Sequence, residues 1–119
     1  MLSPAWISRP DEVNAKVAEW AEAHPQTLHA EGRTQFAGYA VWALTVTDRS
    51  VDDAAKRKAI VLKPHAHEPA PIAAQMNVIN QLLTGETVDG QPTALDRERI
   101  LHECLLVFMP DANPEGTAR

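Results

Sequence analysis

Two short apolar runs, Ala59-Ile60-Val61-Leu62 and Leu105-Leu106-Val107-Phe108-Met109, bracket a segment with helical periodicity. This order constrains the fold more than any other feature. Each run is too short for a core helix and lacks polar alternation, the pattern of a strand covered on both faces. Between them Ile72, Met76, Ile79 and Leu83 fall at i, i+4, i+7 and i+11, the apolar stripe of a helix that ends near Gly85. Thr93, spaced to Asp96 like a cap, starts a further helix that turns Leu95 and Ile100 inward. Strand, helix, helix, strand is a crossover unit with a right-handed connection, and if the two strands are parallel the loops that follow them face the same side. Ligands of open α/β sheets sit beyond the carboxyl ends of the strands. The loops 64–71 and 110–119 both lie there.

The first half reads as helix then strand. Pro10 suits a first turn, Ser8 with Asp11 has the form of a start signal, and Val13, Val17, Trp20 and Ala21 make one apolar stripe. Pro25 ends that helix. Residues 27–47 carry strand character, with Gly32 and Gly38 bracketing a turn before Tyr39–Thr47. Asp48 to Lys58 is a polar connection or short helix, and Lys56-Arg57-Lys58 reads as a solvated turn.

The chain has 119 residues, one small domain's worth, of which 45% are hydrophobic. A net charge of −5 argues against nucleic acid. No apolar stretch approaches the ~20 residues of a membrane helix. Met1–Trp6 has neither the basic region nor the apolar core of a signal peptide, so a cytoplasmic location is favoured. Cys104 is the one cysteine, which excludes an internal disulfide; within an apolar run it reads as a buried, inert thiol.

The chemistry concentrates in Pro64-His65-Ala66-His67-Glu68-Pro69. A histidine and a glutamate three apart in a strand-end loop can turn onto one metal ion, and imidazole nitrogen and carboxylate oxygen are ligands that catalytic zinc uses. His65 with His67 is a competing pair, since residues two apart on an extended segment share a side. His24, His29 and His102 read as exposed or capping residues. There is no Gly-x-Ser-x-Gly elbow, phosphate loop or dinucleotide fingerprint.

Taken in order, the tryptophan-bearing helix, His24-Pro25, Glu31-Gly32-Arg33-Thr34, the strand Gly38–Val46, the strand into His65-Ala66-His67-Glu68, and the strand into Pro110-Asp111-Ala112-Asn113-Pro114-Glu115-Gly116 resemble the N-terminal part of a zinc carboxypeptidase domain of the carboxypeptidase A superfamily. In that family a strand leads into His-x-x-Glu and a later one into Pro-x-x-Asn-Pro-Asp-Gly; Glu115 stands here in place of the aspartate. The resemblance implies an α/β fold, a partial three-layer α/β/α sandwich with a mixed, mostly parallel sheet, and residues 1–119 as the first part of a single domain. It implies Zn²⁺ as cofactor, with His65 and Glu68 as the first two ligands. Asn113 shapes a turn near the cleft, Arg119 is the candidate for the arginine that stabilises the oxyanion, and His67 sits where cleft-lining residues occur. It implies a metallocarboxypeptidase acting on a peptide, or, as the alternative, an amide deacylase of the succinylglutamate desuccinylase/aspartoacylase type. The third zinc ligand, the general base and the groups that grip the substrate carboxylate fall beyond Arg119. The chain alone is therefore expected to be inactive, or a non-catalytic module, with an unpaired sheet edge that an oligomer or a partner would cover.

Overall fold

A computed structural model describes residues 6–119. The elements run α1 (Pro10–Ala23), β1 (Leu28–Thr34), β2 (Ala40–Val46), a 3₁₀ turn (Asp53–Ala55), β3 (Arg57–Leu62), α2 (Pro69–Thr84), α3 (Arg97–Glu103), β4 (Cys104–Met109) and α4 (Pro114–Ala118). The signal-peptide reading concerns residues that lie mostly outside the described ones.

Helix α1 starts on Pro10, whose missing N–H costs nothing in a first turn. Ser8 does not cap it. Instead Glu12 Oε1 accepts from the backbone N–H of Arg9 (3.0 Å) and of Ser8 (3.4 Å). The Ser8–Asp11 start signal is therefore not used: the helix start is closed by the Glu12 carboxylate folding back, the second half of a capping box without its hydroxyl partner. The chain leaves α1 at His24, whose N–H still donates to the Trp20 carbonyl. Strands β1 and β2 form a hairpin closed over Gln35–Tyr39, where Gly38 takes φ +90, a left-handed conformation that a glycine adopts freely. Gly32 lies within β1, not at the turn. Its Cα leaves room for the Trp42 ring on the paired strand, which would stand 2.8 Å from a Cβ there.

The sheet order is β1-β2-β4-β3. β1/β2 and β2/β4 are antiparallel and β3/β4 is parallel. The mixed α/β sheet expected from the sequence is present, but its parallel part is confined to the β3/β4 pair, so "mostly parallel" is corrected. The crossover through α2 and α3 accounts for that pair: it returns the chain in the same direction, whereas β1 and β2 are joined by a hairpin.

Cross-strand partners share a face. Leu28, Leu44, Val46 and Phe108 point to one side of the sheet, where they meet Val13, Val17 and Trp20 of α1 and Ile72, Met76 and Ile79 of α2 in a single core. The two helices are joined inside it by Trp20 Nε1, which donates to Asn80 Oδ1 at 3.0 Å. Leu101 of α3 closes the same core.

The opposite face carries Ile60, Leu62, Val107 and Met109 in neighbouring register positions. Among the described residues the core is built on the first face alone, giving two layers of the expected sandwich. The reading of β3 as a buried strand is therefore overturned: Ile60 is 69% and Leu62 47% exposed. Its hydrophobicity is real, but among the described residues the strand is an edge, and only β4 pairs with it. β4 is also only half-buried apart from Phe108, and Cys104 with it. Two smaller expectations shift. Helix α3 begins at Arg97 behind Asp96, whose carboxylate accepts from Arg99 N–H, rather than near Thr93. Lys56 is buried, its Nζ donating to the Asp48 carbonyl and to Asp53 Oδ1, so the basic run is not a wholly solvated turn.

Candidate metal centre

The parallel pairing brings the ends of β3 and β4 out on the same side, and the chain stitches them together one residue further. Lys63 N–H donates to the Met109 carbonyl (3.1 Å) and Ala112 N–H to the Lys63 carbonyl (3.0 Å). The loop after β3 and the turn after β4 are therefore neighbours, as their sequence positions suggested.

His65 and Glu68 converge. His65 Nδ1 lies 2.7 Å from Glu68 Oε1, and both side chains are open to solvent, at 78% and 47%. The local sequence explains why the carboxylate is free for this contact. Glu68 occupies the N-cap position of α2 yet makes no capping bond. The next residues are Pro69, Ala70 and Pro71, so two of the first three helical positions have no N–H to offer. A glutamate that would otherwise fold back onto its helix turns to the imidazole instead. His67 sits between them at φ +59, the sole non-glycine residue with positive φ among those described. That left-handed turn is a backbone strain of about 1 kcal/mol or more. His67 is exposed, and the contact that forms is His65 with Glu68, not His65 with His67.

The second motif folds as a helix start. Asn113 is the N-cap of α4, accepting from Gly116 N–H at 3.1 Å through Oδ1, with Pro114 at the first helical position. Its side chain is thereby engaged in shaping the turn. Glu115 N–H donates to Gln35 Oε1 (2.9 Å), tying the turn to the hairpin. Gly116 is buried against the loop after β3: a Cβ there would lie 2.6 Å from Ala66 Cβ and 2.7 Å from Asn113 Nδ2. Arg119 is exposed and pairs with Glu115, Nη2 to Oε1 at 2.7 Å. That hydrogen bond and the nearby carboxylate charge raise the guanidinium pKa above its usual value.

Under the loops lies a buried ion pair that the sequence did not disclose. Lys63 Nζ donates to the His65 carbonyl (2.6 Å), to Asp111 Oδ1 (3.1 Å) and to Thr117 Oγ1 (2.9 Å). The Lys63 and Asp111 side chains are 2% and 6% exposed. Asp111 Oδ1 also accepts from Asn113 N–H at 3.0 Å.

As a donor set, one imidazole nitrogen and one carboxylate oxygen suit zinc. Two ligands on a tetrahedral zinc stand about 3.3 Å apart, given bonds of about 2.0–2.2 Å. The 2.7 Å contact is shorter than that, so the pair must part by roughly 0.6 Å to share an ion, a small rotation for two exposed side chains. Among the described residues no group of three or more histidine, cysteine, aspartate or glutamate side chains is gathered to complete a site. The pair fits a zinc ion as part of a ligand set.

The fold also occurs in solved structures. Carboxypeptidase A from Helicoverpa armigera superposes with a TM-score of 0.76 at 21% identity, over 98% of this chain and 27% of that one. This is the metallocarboxypeptidase fold. A metallo-carboxypeptidase from Burkholderia cenocepacia superposes with a TM-score of 0.72 at 17% identity, over 91% and 28%. One from Pseudomonas aeruginosa gives 0.64 at 19%, over 91% and 26%. The chain thus spans about a quarter of the length of these metallocarboxypeptidases. No family model matches the sequence, and a search of curated proteins matches none.

Proposed function

We propose that this chain carries the first part of the metal centre of a zinc-dependent metallocarboxypeptidase. The observation behind the reading is the convergence of His65 Nδ1 and Glu68 Oε1 at the carboxyl end of the parallel strand pair, in a fold shared with metallocarboxypeptidases. His65 and Glu68 would hold the ion, with a third ligand from outside the described residues. Bound zinc supplies Lewis acidity and an activated water for amide hydrolysis. The protein's own part is to hold its two donors on a loop stiffened by Pro64, Pro69 and Pro71, between a strand end and a helix start. The Asn113–Gly116 turn supports that loop from beneath through the Gly116–Ala66 contact. Arg119 is the proposed contact for the substrate carbonyl. Its pair with Glu115 is exposed, and such pairs are weak enough to exchange for a substrate oxygen. His67, exposed beside the pair, is a proposed wall of the substrate cleft.

The substrate is a peptide, with C-terminal trimming as the reaction. Isothermal titration of Zn²⁺ into the intact protein should show binding that His65→Ala and Glu68→Ala each weaken at least tenfold. In a protein that also carries the remaining ligand and the general base, release of a C-terminal amino acid from a blocked dipeptide should stop with a chelator. Zinc binding unchanged by His65→Ala refutes the ligand assignment. Turnover of an N-acyl amino acid, with no action on peptides, would favour the deacylase instead.

A further inference from the structure

The buried Lys63 ammonium is not needed to close the core, and a charge this deep costs several kcal/mol unless it is fully engaged. Here it is engaged with both loops at once. One of its bonds goes to the backbone carbonyl of His65, the others to Asp111 and Thr117 on either side of the Asn113–Gly116 turn. Residues 48 and 54 positions apart in sequence are drawn to one nitrogen. Asp111 then passes the constraint on by accepting from Asn113 N–H, the residue that caps α4.

We propose that Lys63 is a positioning residue of the metal centre: its ammonium clamps the His65 peptide to the turn after β4, so that the two loops move as one body and the imidazole is presented at a fixed angle to Glu68. The inference rests on the zinc reading for its consequence, though the clamp itself does not. Lysine suits the role because its three donors match the three oxygens in reach. Outer contacts of this kind are worth 10–100-fold in metal affinity where they have been removed.

Removal of Lys63 alone would leave Asp111 buried without its partner, so the informative variant is the double Lys63→Met, Asp111→Asn, which takes both charges out at similar volume. Thr117→Val, which keeps the ion pair and removes the bond from Lys63 together with the one that Thr117 Oγ1 donates to the Asn113 carbonyl (3.2 Å), is the milder companion. Folding is checked by circular dichroism. Amide hydrogen exchange is then followed for residues 65–68 and 112–117. Zn²⁺ affinity is measured by titration, and the visible spectrum of bound Co²⁺ reports the ligand angle. In the double variant, exchange should accelerate in both loops together, zinc affinity should fall about tenfold, and the Co²⁺ bands should shift; Thr117→Val should do the same to a smaller degree. A folded double variant whose loops exchange as in the parent, or whose zinc affinity and Co²⁺ spectrum are unchanged while the parent binds metal, overturns the proposal. If neither parent nor variant binds zinc, the zinc reading fails, and coupled loosening of the two loops still decides the clamp.

Discussion

The sharpest consequence of the two-loop arrangement concerns Gly116, which touches neither His65 nor Glu68. An alanine methyl there would stand 2.6 Å from Ala66 Cβ and 2.7 Å from Asn113 Nδ2. Carbon atoms in good contact sit about 3.5–4.0 Å apart, so the Ala66 segment must retreat by roughly 1 Å. Asn113 has little room to yield, because its Oδ1 is the cap of α4. Overpacking of this kind costs about 1–3 kcal/mol. For a chain of this size about 2 kcal/mol corresponds to a fall in Tm of roughly 6–10 °C. Ala66 is next to His65, so the retreat carries the imidazole with it, and zinc affinity should fall along with stability. Gly116→Ala is compared with the parent by thermal melting and Zn²⁺ titration, and the double variant Ala66→Gly, Gly116→Ala closes the cycle. Removing the Ala66 methyl relieves one of the two clashes, so it should recover about 1 kcal/mol as a coupling energy, and part of the zinc affinity. A Gly116→Ala protein with an unchanged Tm, or a cycle in which the two substitutions are additive, would show that the turn does not press on the metal loop.

Three further outcomes follow from single positions. His67 at φ +59 should accept glycine without loss, whereas His67→Val, β-branched in the left-handed region, should lose about 1–3 kcal/mol by chemical denaturation; equal effects would mean that the backbone there is unstrained. Asp48 has its pKa held below the ordinary carboxylate value by the Ser50 hydroxyl first and the Ser50 N–H second. A depressed folded pKa gives stability that is present above the unfolded value and lost as pH falls through the folded one. Ser50→Ala should therefore move the Asp48 titration upward, but not all the way, in a carbon-detected NMR titration, and an unmoved curve refutes the hydrogen-bond cause. Ile60→Lys, on the open edge strand, should leave the unfolding free energy within about 0.5 kcal/mol of the parent and reduce self-association measured by light scattering; a large loss of stability would show that this face is packed.

What the sequence revealed and what it hid divide along the range of the interaction. Ile72, Met76 and Ile79 were legible as core because a helix repeats its buried face locally. The parallel pairing of β3 with β4 was suggested because parallel strands need a long crossover and the helices between these two runs supply one. The convergence of His65 on Glu68 could be anticipated because both belong to one short loop. Burial was not legible in β3. Ile60 and Leu62 have the composition of a covered strand, and whether a layer covers them depends on what else packs there, which no local pattern encodes. Lys63 was hidden for the opposite reason. A lysine at a strand end ordinarily marks solvent, and only the distant Asp111 and Thr117, brought in by the sheet register, make it a buried clamp. On the zinc reading proposed above, the two ligands are written within a few residues of one another, while the lysine proposed to position them is engaged across the whole crossover. Substitutions at Lys63 or Gly116 should therefore disturb the centre as surely as changes to its ligands.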